Sequence, residues 1–139
     1  MLTKAKKISV FYTDAKNVIH DIIYESGKWA DGDLSEKGYT TAPNGSLSAM
    51  YNQCRLCANT TILAFQDENN LIQIGNLTST GWTLTQLAIN QLENTGLALQ
   101  PFYWAGFEDQ LDLYYQRKDL KMAMASWISP DVTKKRKLS

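Results

Sequence analysis

Ile8-Ser9-Val10-Phe11-Tyr12, Asp14-Ala15-Lys16-Asn17 and Val18-Ile19-His20-Asp21-Ile22-Ile23-Tyr24 follow one another near the start of the chain. The outer two stretches are rich in β-branched and aromatic residues, which suit strands. The middle one supplies Asp and Asn, whose short polar side chains favour turns. Two such runs across a turn read as a β-hairpin. Gly27-Lys28-Trp29-Ala30-Asp31-Gly32-Asp33 then closes the unit with another turn.

The arrangement returns. Thr61-Ile62-Leu63-Ala64-Phe65-Gln66 precedes Asp67-Glu68-Asn69-Asn70, Leu71-Ile72-Gln73-Ile74 and then Gly81-Trp82. It returns again as Leu111-Asp112-Leu113-Tyr114-Tyr115-Gln116, Arg117-Lys118-Asp119 and Leu120 to Trp127. With Ile8, Thr61 and Leu111 as equivalent starts, the spacing is 53 and then 50 residues. The segments 46–51 and 96–104 supply a further strand before the second and third hairpins. Four short strands per ~50 residues is the period of a β-propeller blade. The expected fold is therefore all-β, a propeller-like array of about 2.5–3 four-stranded blades. Expected strands are 6–13, 18–25, 46–52, 61–66, 70–77, 97–104, 110–116 and 120–127. A competing pattern exists: Phe107, Leu111, Tyr114 and Tyr115 approximate one helical face, and Thr83 to Leu92 is similarly ambiguous. The repeat decides for strands.

The chain has 139 residues, which suits one domain, expected over 1–130 with a basic tail over 131–139. Fourteen Lys plus Arg balance fourteen Asp plus Glu, so neither nucleic acid nor an anionic membrane is an expected partner. No apolar run follows Lys4, Lys6 and Lys7 as in a secretory signal, and none approaches a membrane span. A cytoplasmic location is expected. Lys134-Lys135-Arg136-Lys137 makes nuclear entry the alternative to a solvated tail. The sequons at Asn44, Asn59 and Asn76 then read as chance matches.

Catalytic and metal-binding residue types are scarce. Cys54 and Cys57 form a lone C-x-x-C with no second pair, and His20 is the single histidine, so no metal or other cofactor is expected. His20 and Asp21 are neighbours on a strand and point to opposite faces, which excludes a dyad. Ser9 lacks a nucleophile-elbow context. The expectation is a protein that is not an enzyme.

The order of strand, Asp-x-x-Asn turn, strand and then Gly-x-Trp or Gly-Trp resembles the fungal fucose-specific lectins, a family of six-bladed propellers. Ile8 to Asp14, Ile19-His20-Asp21 and Gly27-Lys28-Trp29 through Gly32-Asp33-Leu34 follow that family's blade closely. Thr61 to Asp67 with Gly81-Trp82 follows it loosely, and Leu113-Tyr114-Tyr115-Gln116 keeps one strand of it. The resemblance implies sugar pockets between blades, with an Arg and a Glu from one blade and a stacking aromatic from the next. A guanidinium and a carboxylate make charge-assisted bonds to hydroxyls, and an aromatic face covers the apolar side of a sugar. By position, the Arg falls on Ser9, the Glu on Asp21 and the stacking residue on Trp82, with Trp29 as the matching aromatic of the first unit. Trp29 and Trp82 read equally as packing between sheets. In the second unit the polar positions hold Ile62 and Ile74, and in the third Asp112 replaces the Arg.

The resemblance implies a non-enzymatic, fucose-type carbohydrate-binding lectin or its degenerate descendant, binding fucose-like glycans weakly or not at all. The alternative is a protein–protein interaction module on a partial propeller. Since two and a half blades cannot close a ring of 4–8, a homodimer is expected.

Overall fold

The computed structural model describes residues 6–52, 60–87, 89, 91–101 and 110–128. They form three antiparallel sheets. The first holds β1 (Ile8–Thr13), β2 (Ile19–Glu25) and β3 (Lys28–Asp31), followed by a one-turn helix α1 (Leu34–Lys37). The second holds β4 (Leu47–Asn52), β5 (Thr60–Gln66), β6 (Ile72–Thr78) and β7 (Gly81–Gln86) in that order. The third runs β8 (Ala98–Pro101), β9 (Gln110–Gln116) and β10 (Met122–Ile128), with β9 central. No described helix is long and apolar enough to cross a membrane. The helical alternative for Phe107 to Trp127 fails where it can be checked, because β9 and β10 pair from Met122↔Gln116 to Ile128↔Gln110. Residues 102–109, Cys54, Cys57 and the basic tail lie outside the described residues.

Two strands depart from the sequence reading. Lys28–Asp31 and Gly81–Gln86 were expected as closing turns, yet they pair along β2 and β6 as outer strands. All four residues of β3 are exposed, so this strand buries no face and carries no apolar alternation to read.

The repeat survives at atomic detail in the hairpin turns. Asp14 N–H donates to Val18 O and Asn17 N–H to Asp14 O, both at 3.0 Å. Asp67 with Leu71 and Asn70 makes the same pair at 2.8 and 2.9 Å, as does Arg117 with Lys121 and Leu120. Asn17, Asn70 and Leu120 all take left-handed backbone, at φ 63°, 61° and 66°. Asn tolerates that conformation because its short side chain bonds locally. In the first two turns the Asp carboxylate completes the clamp. One oxygen of Asp14 accepts Lys16 and Val18 N–H, and the other meets His20 Nε2 at 3.0 Å. Asp67 does the same with Asn69, Leu71 and Gln73.

The sheets pack face to face through two cores. Phe11 and Ile19 of the first sheet meet Leu63, Phe65, Leu77 and Trp82 of the second, with Leu34 of α1 beside them. Ile62, Ala64, Ile72 and Ile74 on the other face of the second sheet meet Leu111, Leu113 and Tyr115 of the third. Connections also bridge the sheets: Thr41 N–H donates to Asn17 O and Ala42 N–H to Gln66 O. Gln66, wholly buried, donates through Nε2 to Asn70 O and Leu92 O and accepts Thr95 N–H. Three backbone groups at this seam are thereby satisfied by one side chain.

Candidate functional site

The groove between the first and second sheets contains three of the four residues singled out from the sequence. Register explains their common face. Ser9 pairs with Ile23 and Phe11 with Asp21, and paired residues of an antiparallel ladder point the same way. The core places that face toward the second sheet, where Trp82 stands at the start of β7 and meets Phe11 edge-on, with ring centroids 6.0 Å apart and planes at 90°.

Their surroundings differ from a pocket of free polar groups. Asp21 is 1% exposed, and its Oδ1 accepts the Leu34 N–H at 3.0 Å. Gly32 lies directly against its other oxygen; a Cβ there would come within 2.0 Å of Oδ2. Gly32 N–H also bonds Asp21 O at 2.9 Å, which holds the chain in this close approach. Burial pushes the Asp21 carboxyl above its ordinary pKa, the Leu34 bond works against that rise, and the Asp33 charge adds to it. Asp33 at the N-cap makes no side-chain cap bond, so Asp21 supplies the acceptor that the first turn of α1 requires. The result is to fix Leu34, wholly buried, in the core between the sheets.

Trp82 is buried as well, with its ring on Gly75, where an added Cβ would come within 3.3 Å of Cε3 and Cζ3. Its Nε1 has no hydrogen-bond partner. Ser9 is exposed. Trp29 lies elsewhere, on the opposite face of the first sheet, tilted 50° against Tyr24 at 5.2 Å and more than half exposed. Phe11, which the sequence reading left unassigned, stands between Asp21 and Trp82; its alternation with Ser9 was the available signal.

The remaining units are settled by register. Ile62 and Ile74 are buried in the second core. In the third sheet Met124 pairs with Tyr114 as Asp21 pairs with Phe11, so Met124 holds the acid position that the short turn obscured. Asp112 accepts a hydrogen bond from Ser126 Oγ. On the outer face of this sheet a cavity of about 400 Å³ is lined by Gly96, Leu97, Ala98, Tyr114, Gln116 and Met122. Among the described residues no group of three His, Cys, Asp or Glu could hold a metal ion.

The sequence profile of the fungal fucose-specific lectins matches residues 2–135. The chain belongs to that family. Solved structures carry the same fold. The fungal lectin from Aleuria aurantia, described as a six-bladed β-propeller, is 21% identical with a TM-score of 0.75, over 90% of this chain and 40% of that one. AofleA from Arthrobotrys oligospora is 16% identical at TM-score 0.74, over 89% of this chain and 37% of its own. The fucose lectin from Kordia zhangzhouensis, solved with methyl-fucoside, is 9% identical at TM-score 0.68, over 91% of this chain and 87% of that one. The family chain described here thus spans about two-fifths of the fungal propellers and most of the Kordia lectin. A comparison with curated proteins found no match.

Proposed function

We propose that this family chain is a non-enzymatic carbohydrate-binding protein of the fucose-lectin type, in which the groove between the first two sheets has lost its charged sugar anchors. The reading rests on family membership together with one observation: the carboxylate at the acid position, Asp21, is engaged by Leu34 N–H beneath Gly32. With Ser9 at the Arg position, no guanidinium compensates. A hydrogen bond to a charged group contributes roughly 1.5–3 kcal/mol. Losing one lowers affinity on the order of ten- to a hundred-fold. Binding of fucose-like sugars in this groove is therefore weak or absent. The Kordia relative, solved with methyl-fucoside, supports fucosides as the ligand class to test first.

Calorimetry with methyl fucoside tests the reading. The expected result is little or no heat for the wild type and a measurable gain for Ser9→Arg. Tight binding by the wild type that survives Trp82→Ala would overturn the loss of this groove. A second reading, a protein-interaction module that retains the blades without sugar, is favoured by the exposed Ile8, Val10, Tyr12 and Trp29 on the outer face of the first sheet. A glycan array separates the two: defined sugar binding supports the lectin, and silence across the array supports the module.

A further inference from the structure

The seam between the first two sheets has two halves, and the chain carries a second copy of each half on its outer faces. One half of the inner seam is Leu63, Phe65, Leu77 and Trp82. Fifty-three residues earlier stand Val10, Tyr12, Tyr24 and Trp29, in the same register: Trp82 pairs with Leu77, and Trp29 pairs with Tyr24. The other half is Phe11 and Ile19. One repeat beyond the second sheet, their positions are taken by Tyr114 and Met122, the first residues after the same landmarks of strand and turn.

Exposure separates the two sets. Leu63, Phe65 and Trp82 are 0%, 1% and 5% exposed in the inner seam, whereas Val10, Tyr12 and Trp29 are 41%, 43% and 54% exposed. Ile19 is 0% exposed and Met122 is 69% exposed. Apolar side chains of this size gain roughly 1.5–3 kcal/mol each on full burial, and contiguous exposed apolar faces mark interaction sites. Around Tyr114 and Met122 the surface is also concave, forming the cavity of about 400 Å³ bounded by Leu97 and Ala98. In the inner seam the corresponding residue, Phe11, receives the edge of an indole.

We propose that two copies of this chain associate head to tail, the outer face of the third sheet of each receiving Val10, Tyr12 and Trp29 of the other. The occupant is a second copy because the two outer faces repeat the two halves of an interface that the chain already makes within itself. A head-to-tail contact closes when the rotation permits. Two copies contribute six sheets, the number of blades in the Aleuria aurantia fold. The association requires no sugar, so its success or failure is independent of the binding reading above.

Light scattering coupled to size exclusion, run on the 139-residue chain, gives the mass directly. The wild type is expected at twice the single-chain mass at micromolar concentration. Trp29→Asp damages one half of the contact and Met122→Asp the other, so each variant is expected at single-chain mass with an unchanged β-type circular dichroism spectrum. Mixing the two variants restores one undamaged contact per pair, and the mixture is expected to associate more than either alone. A monomeric wild type overturns the proposal. So does a dimer insensitive to either substitution, or a mixture that associates no more than its components.

Discussion

Two aspartates of the first sheet titrate in opposite directions for separate reasons. Asp14 is held below its ordinary pKa, chiefly by the hydrogen bond from His20 and then by Val18 N–H. Its contribution to stability is complete above the unfolded carboxylate pKa of about 3.9 and is lost as pH falls through the lower folded value. The stability advantage of the wild type over Asp14→Asn, measured by urea denaturation, is therefore expected to shrink between neutral pH and about pH 3. Asp21, raised by burial, has the opposite sign: its charged form is a cost that is relieved as pH falls through the raised folded pKa. That cost is accepted because the carboxylate satisfies Leu34 N–H. Asp21→Ala strands this donor and is expected to lose about 1–3 kcal/mol of stability, again read from urea denaturation. Asp21 was legible as a polar residue on a strand face, but its partner is a backbone amide thirteen residues onward. No side-chain pattern encodes that distance, so its positioning role became visible only in the fold.

Among the elements, the hairpin turns show why most of this architecture could be read from the sequence. Asn17 and Asn70 sit where the backbone turns left-handed, a conformation that selects Asn or Gly, so the turn is written in residue types. The third turn breaks the rule. Leu120 adopts φ 66° and is largely exposed, so it gains little from packing within the chain to offset the roughly 1–2 kcal/mol that left-handed backbone costs an ordinary residue. Leu120→Asn is expected to raise stability by about 1 kcal/mol, seen as a higher thermal midpoint with the β spectrum unchanged. The outer strands illustrate the reverse situation. Trp29 is an exposed residue in a strand with no buried position, and hydrophobic patterning requires a buried face to produce alternation. Lys28–Asp31 consequently read as a turn although its backbone pairs fully with β2.

Taken whole, the molecule is a row of three sheets in which the middle one is covered twice. Leu63 and Phe65 point into one core, and Ile62 and Ala64 into the other. This is why Thr61 to Phe65 reads as an almost unbroken apolar run, whereas Ile8 to Tyr12 carries an exposed Ser9. In arrays of this kind each unit draws its stability from its neighbours, so the middle sheet has two sources and each end sheet has one. Opening the array from an end breaks one core; releasing β5 breaks both. Amide hydrogen exchange should register that difference as time. The N–H groups of β5 and β6 are expected to exchange last, at a rate set by global unfolding, with those of β1 and β10 exchanging earlier through partial openings. Uniform exchange across all three sheets would mean that the row opens as one cooperative unit. A graded pattern would make Thr61 to Phe65 the slowest clock in the protein.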